Sequence, residues 1–281
     1  MDPYVVKIPE EQLDELRVFL LDFDNTHQRT TSNQYEAFRF YYAGGVIVAY
    51  TSGKIVANSP ETASLLTTAV QSLSKDSMNV ITIGSDEAGK GEWLGPLTVA
   101  AVALNEKQEI YLRSVGVMDS KELSAGKIGE LAYEIEENSL AIETLLIPPK
   151  VFEDRLKEMH AEGKNLNDLL AWAHTEVIST VYSKIRKIKA KPRIVVDEFD
   201  KNKTLERLGK KIDLSKIPLE QMHRAERVTA VAAASIMARD LREEWIDKAS
   251  LRLGIELEGM SIAEARKRKD LREFAKISYL K

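Results

Sequence analysis

From residue 80 onward, short apolar segments alternate with long helical ones, and this alternation restricts the chain to a layered α/β architecture with helices on the faces of a sheet. Val80 to Ile83 and Leu97 to Leu104 read as strands, and Ser124 to Asn138 as a helix with a serine N-cap. Leu140 to Ile147 reads as a strand, followed by helical Lys150 to His160 and Leu166 to Lys187. A short strand at Arg193 to Val196 precedes a helical Thr204 to Leu208, an extended Lys216 to Met222 and a long helix over Ala225 to Ala249. No internal repeat or low-complexity tract interrupts the order.

A polar stretch, Ser72 to Asn79, reads as a linker. The residues before it follow a β-α-β-β-β-α order. Val5 to Ile8 is a strand, and Pro9-Glu10-Glu11 opens a helix through Leu21. Tyr35 to Tyr42, Val46 to Thr51 and Lys54 to Asn58 are β-rich, the last two around a Ser52-Gly53 turn, and Ser59-Pro60-Glu61 starts a second helix. The expected division is a small α+β domain over 1–76 and a larger α/β domain over 80–281.

The absence of cysteine excludes disulfides, thiolate metal sites and cysteine nucleophiles. The start has neither the basic nor the apolar part of a signal peptide, and no apolar run is long enough for a bilayer, so the expectation is a cytoplasmic protein with no membrane partner. Net charge is −4, but its distribution is uneven. Residues 1–79 carry 6 basic and 10 acidic groups, whereas residues 184–227 carry 14 and 7. A polyanion needs a local positive face and not a positive total, so this stretch is either a nucleic-acid contact or a solvated lysine-rich surface.

Four carboxylates stand out by position. Asp86 and Glu87 end an apolar strand and enter the glycine-rich turn Gly84-Ser-Asp-Glu-Ala-Gly-Lys-Gly91. Asp197 ends Ile194-Val-Val, and Glu226 precedes a run of small residues at a helix start. Such positions can converge at one rim of a sheet. Carboxylates sharing a site repel one another unless cations neutralise them, and Mg²⁺ favours a few carboxylates plus water and phosphate oxygens. Taken singly, each is equally a turn former or a helix cap.

The run Ile83-Gly-Ser-Asp-Glu-Ala-Gly-Lys-Gly-Glu-Trp-Leu-Gly-Pro-Leu97 resembles the signature of the type 2 ribonucleases H, the HII and HIII enzymes. Met118-Asp-Ser-Lys-Glu-Leu123 resembles their Asp-Ser-Lys-Lys-Leu element, and Asn165-Leu-Asn-Asp-Leu-Leu-Ala-Trp-Ala-His174 their Asn-Leu-Asn helix. Val195-Val-Asp-Glu-Phe199 is similar to their third catalytic strand, and His223-Arg-Ala-Glu-Arg-Val-Thr-Ala-Val-Ala-Ala-Ala-Ser-Ile-Met-Ala-Arg239 to their closing helix. Two features lean towards HIII: glutamate at the fourth acidic position, and a first domain similar to the TATA-box-binding-protein-like domain that precedes HIII catalytic domains. Gly89-Lys-Gly91 is closer to the Gly-Arg-Gly of HII than to the Gly-Thr-Gly of HIII.

The resemblance implies a ribonuclease H-like mixed sheet flanked by helices, acting as a monomer on RNA–DNA hybrids with two Mg²⁺ or Mn²⁺ ions and leaving 5′-phosphate and 3′-hydroxyl ends. Asp86, Glu87, Asp197 and Glu226 are then the catalytic and metal-binding residues. Asp86 bridges the ions, Glu87 and Asp197 hold the leaving-group ion, and Glu226 holds the ion that carries the water. Gly89 and Gly91 bring backbone close to a 2′-hydroxyl. Lys90, Ser120, Lys121, Asn165 and Lys201 are the expected contacts in the large domain, with Arg39 and Lys54 in the small one. His174 and Trp93 read as packing residues. Two alternatives stay open: an HII-like endonuclease acting at single embedded ribonucleotides, and a hybrid-binding protein with weak catalysis. A phosphotransferase would need a nucleotide motif that the chain lacks.

Overall fold

The computed structural model describes residues 3–73, 80–117 and 123–280. The chain divides into two compact units, 1–79 and 80–281. The proposed linker, apart from its first two residues, and Met118 to Glu122 lie outside the described residues.

The first unit contains β1 (Tyr4–Lys7), α1 (Leu13–Leu21), β2 (His27–Arg29), β3 (Glu36–Tyr42), β4 (Gly45–Tyr50), β5 (Lys54–Ala57) and α2 (Pro60–Ser72). The strands form one antiparallel sheet in the order β1-β5-β4-β3-β2. Alternation along the strands buries Phe38, Phe40, Ile47, Ala49, Ile55 and Ala57 on the face that α1 and α2 cover with Leu16, Leu20 and Leu66. The other face stays open to solvent. Strand β2 is an addition to the expected order. All three of its residues are exposed and polar, so it lacks the apolar alternation by which a strand is recognised.

The second unit contains β6 (Val80–Ala88), β7 (Leu97–Asn105), α3 (Glu106–Ser114), α4 (Ala125–Asn138), β8 (Ala141–Ile147), α5 (Pro149–Ala161), α6 (Leu166–Ile185), β9 (Lys191–Asp197), α7 (Lys201–Gly209), β10 (Leu219–Met222), α8 (Thr229–Leu253) and α9 (Ile262–Ala265). Its sheet is mixed, in the order β10-β9-β6-β7-β8. β10, β9 and β6 run parallel, and β7 and β8 run antiparallel to their neighbours. Helix α6 covers one face through Ala173, Val177, Ile178 and Val181. The alanine-rich start of α8 covers the other with α4. Gly84 permits this close approach, because a Cβ there would stand 2.2 Å from the backbone of Ala230.

Two boundaries beside the acidic residues differ from expectation, and one helix was not expected. β6 continues to Ala88, beyond the expected Ile83, so the strand that Asp86 and Glu87 were expected to end runs one residue past them. α8 begins at Thr229, and Glu226 sits in a short 3-10 turn, Ala225–Arg227, ahead of it. α3 is strongly charged, which conceals its helical period, yet it carries a complete capping box between Asn105 and Gln108. Among the described residues no helix is long and apolar enough to cross a membrane.

Candidate active site

The parallel register brings the acidic residues to one end of the sheet. Ser85 pairs with Val196, which sets Asp197 level with Asp86, and Met222 pairs with Asp197, which delivers the turn bearing Glu226 to the same rim. Ligand sites of parallel sheets form at this carboxyl end. Asp86, Glu87, Asp197 and Glu226 all line one cavity of about 670 Å³, which continues along α8 past Ser235, Arg239 and Arg242.

Asp86 and Glu87 are neighbours in a strand and point to opposite faces. Each carboxylate is therefore held by a different helix. Asp86 accepts a hydrogen bond from Ser235 on α8 and one from the Glu87 amide at 2.9 Å. Glu87 faces α6, where its Oε2 lies 3.0 Å from His174 Nε2, while its Oε1 lies 3.3 Å from Lys90 Nζ. Asp197 Oδ1 accepts from the Ala225 amide at 3.2 Å, which ties the end of β9 to the Glu226 turn. That turn is entered through Arg224 at φ 56°, a left-handed conformation uncommon for a residue with a side chain.

The two neighbouring carboxylates are driven apart electrostatically. Burial, and then the charge on Glu87, push the Asp86 carboxyl up to about 7. Burial opposes the charged form of Glu87 too, but the His174 hydrogen bond, with its charge and that of Lys90, outweighs it and holds Glu87 at about 2. Hard carboxylate oxygens that repel one another beside an open cavity are the donor set that suits Mg²⁺ or Mn²⁺. Among the described residues no three acidic or histidine side chains form a ready-made metal cage.

The remaining expected contacts fall into groups. Gly89 has φ 83°, and a Cβ on it would stand 2.3 Å from the Pro96 carbonyl oxygen, so the fold itself requires glycine there. Gly91 has no atom within 4 Å of a Cβ position, so packing does not demand its glycine. The Lys90 ammonium lies 5.3 Å from the centre of the Phe199 ring. Asn165 caps α6, its side-chain oxygen accepting from the Asn167 amide and from Lys203 Nζ. Lys201 is exposed and pairs with Glu198 at 3.3 Å. Ser120 and Lys121 lie outside the described residues.

In the basic stretch 184–227, seven of the 14 cationic side chains (Lys184, Arg193, Lys201, Lys203, Lys210, Lys211 and Lys216) are engaged in ion pairs. His174 is packed, being fully buried, but it also bonds a candidate ligand. Trp93 packs in the cluster around Phe274, as expected. Sequence reasoning missed Ser235, Phe199 and Tyr279. Of these only Ser235 left a signal, as a polar residue within a run of small ones on α8.

In the first unit Arg39 pairs with Glu36 at 2.7 Å and bonds Ser32, while Lys54 is exposed. Lys54 stands directly opposite Lys7, and Arg29 directly opposite Arg39. These four cations share the open face of the sheet. The acidic Glu10, Glu11, Asp14 and Glu15 belong instead to the segment that opens α1. A balance that is acidic by count is thus basic on one side.

A family model described as ribonuclease HII matches residues 83–276. The chain is 31% identical over 269 residues to ribonuclease HIII of Protochlamydia amoebophila, covering 92% of this chain and 84% of that protein. It is 31% identical to ribonuclease HIII of Streptococcus thermophilus, covering 92% of this chain and 86% of that one. The crystal structure of Bst-RNase HIII in complex with Mn²⁺ superposes with a TM-score of 0.61 at 22% identity, covering 99% of this chain and 96% of that one. The fold described above is therefore one already seen in a ribonuclease HIII.

Proposed function

Since the chain belongs to the type 2 ribonucleases H, the family of ribonucleases HII and HIII, we propose that it cleaves the RNA strand of RNA–DNA hybrids with two divalent cations, leaving 5′-phosphate and 3′-hydroxyl ends. Ribonuclease H activity comes with membership, and the substrate, the products and the residues are our reading. The observation that carries it is the arrangement of Asp86, Glu87, Asp197 and Glu226 around one cavity at the carboxyl end of the parallel strands.

These four carboxylates are the residues that would hold Mg²⁺ or Mn²⁺. When bound, such ions activate a water and offset charge on the attacking and leaving oxygens. The protein's own part is orientation. Ser235 and the Glu87 amide fix Asp86, the Ala225 amide fixes Asp197, and His174 and Lys90 grip Glu87. Gly91 leaves space beside its backbone, which suits recognition of a 2′-hydroxyl, the group that distinguishes RNA from DNA. Lys90 adds positive charge at the mouth of the site.

The first unit supports a hybrid-gripping role through its open face. Like charges directly opposite on neighbouring strands are destabilising. One such pair, Lys7 with Lys54, together with Arg29 opposite the Glu36-paired Arg39, suits a surface that meets a phosphate backbone.

The test is cleavage of an end-labelled RNA–DNA hybrid with Mg²⁺, Mn²⁺ or EDTA. We expect metal-dependent cuts in the RNA strand alone, with 5′-phosphate products. Cleavage that persists in EDTA, or intact RNA under both metals, would overturn the reading. The Gly-Lys-Gly turn keeps the HII-like alternative in view, so a duplex with a single ribonucleotide belongs in the same experiment. Cleavage of that duplex in preference to a long hybrid would favour the junction endonuclease.

A further inference from the structure

We propose that His174 is a positioning residue of the cleavage reaction, fixing one carboxylate oxygen of Glu87 through Nε2 while Ser85 fixes the imidazole through Nδ1. The inference rests on the reading of Glu87 as a metal ligand and adds a group that does not itself touch the cation.

The geometry is a linear relay through the core. Ser85 is fully buried on β6, two residues before Glu87 and therefore on the same face of the strand. Its Oγ lies 2.7 Å from the Ala100 carbonyl oxygen and 2.7 Å from His174 Nδ1. A hydroxyl has one hydrogen and a carbonyl can only accept, so Ser85 donates to Ala100 and accepts from Nδ1–H. The opposite nitrogen, Nε2, faces Glu87 Oε2 at 3.0 Å. Both edges of the ring are thus hydrogen-bonded, and its orientation is set at both ends.

The surroundings hold the ring still and dry. His174 is fully buried, as are its neighbours Ala173 and Thr175. Phe199 stacks on it with ring centres 5.2 Å apart and planes at 27°. Phe199 follows Asp197 by two residues, so the segment leaving the strand that ends on one candidate ligand also seals the support of another. A histidine serving only to fill the core would need no carboxylate in line with its second nitrogen. Here the bond takes Oε2 and leaves Oε1 as the oxygen approached by Lys90. A freely rotating glutamate would present either oxygen in many directions, whereas this one is delivered in a single orientation. Groups that orient metal ligands in this way typically contribute a factor of about 10–100 to metal affinity or activity.

The test uses the full-length protein and Mn²⁺ alone as probe, followed by calorimetry or electron paramagnetic resonance without nucleic acid. Steady-state kinetics on a hybrid and thermal melts accompany it. The variants are His174→Leu, His174→Gln, Ser85→Ala and Glu87→Gln. We expect His174→Leu to weaken Mn²⁺ binding about tenfold and to lower kcat with KM for the hybrid unchanged. His174→Gln, which retains an N–H donor, should recover part of both losses. Ser85→Ala, which touches neither Glu87 nor the cavity, should show a smaller loss of the same kind, and with His174→Gln it carries the test if the leucine variant does not fold. A lower melting temperature with unchanged Mn²⁺ affinity and unchanged kcat in the folded variants would overturn the proposal and leave His174 a packing residue. If Glu87→Gln binds Mn²⁺ as the wild type does, the metal-ligand reading of Glu87 fails. If Glu87→Gln loses Mn²⁺ while the His174 and Ser85 variants do not, only the present inference fails.

Discussion

The hydroxyl of Tyr279 donates to the backbone carbonyl of Lys90 at 2.6 Å, so the end of the chain holds the middle residue of the Gly-Lys-Gly turn. The same C-terminal segment grips the rest of that loop. Lys276 N donates to the Trp93 carbonyl, Gly95 N donates to the Phe274 carbonyl, and the buried Lys276 Nζ donates to the Gly95 and Pro96 carbonyls. Tyr279 also stacks on Phe152, a contact that phenylalanine would keep. Tyr279→Phe therefore removes one hydrogen bond and little else. At about 1 kcal/mol net, the melting temperature should fall by about 2–4 °C, and as the turn loosens kcat/KM on a hybrid should fall by up to about fivefold. Wild-type kinetics in this variant would show that the turn holds its shape without the tyrosine.

The two glycines of that turn should separate structure from recognition. Gly89→Ala places a Cβ against the Pro96 carbonyl at a positive φ, so it should destabilise the second unit by about 1–2 kcal/mol or more. Gly91→Ala meets nothing and has no such strain. Its melting temperature should match the wild type, while displacement of the substrate backbone should lower kcat/KM by up to about a hundredfold. Full activity in Gly91→Ala would place the RNA contact elsewhere.

Asp86→Asn and Asp197→Asn should each reduce cleavage by at least about 10²–10³-fold, measured in saturating Mg²⁺. Neither should unfold the protein. Asn can still accept from Ser235 or the Ala225 amide, and removing a buried charge that burial and Glu87 already disfavour costs the Asp86 position little. Near-normal turnover in either variant would sink the assignment, and loss of folding would make these residues caps and not ligands.

Residue chemistry and, β2 and α3 apart, element order were legible because they are written locally. Apolar strands, helix caps and the four carboxylates each show in a window of a few residues. What lay hidden depends on which face a residue takes. With the apolar run stopping at Ile83, alternation could not assign Asp86 and Glu87, at the rim of the strand, to faces. Only with β6 extended to Ala88 do they face α8 and α6 respectively. His174 reads as core from its helix because its partner, Glu87, lies 87 residues away. Tyr279 was silent for the same reason, its contact with Lys90 spanning 189 residues. The charge count of residues 184–227 is incomplete by itself, since it ignores the acidic partners that folding supplies. Lys203, for one, bonds Asp168 and Asn165.

Arg39 and Lys54 both belong to the first unit's open face, yet they should respond differently to substitution. Glu36 is almost fully buried, and hydrogen bonds from Arg39 and then from Ser32 hold its carboxyl at about 2, against an ordinary 4.5. A depressed folded-state value means that this network stabilises the unit above the ordinary value and that its contribution is lost as pH falls from about 4.5 through about 2. Arg39→Gln should therefore lower protection of β3 and β4 at neutral pH and flatten its decline over that acid window, as read by hydrogen exchange of variant and wild type at matched pH. Because its charge is already matched by Glu36, the same variant should change the salt dependence of hybrid binding little. Lys54→Gln and Lys7→Gln should do the reverse. Relieving a like-charge pair leaves stability unchanged or raises it slightly, while each lost phosphate contact should make the salt slope shallower by about 0.9 on a B-form scale. If both lysine variants keep the wild-type slope, the open face is a solvated surface and hybrid affinity resides in the second unit.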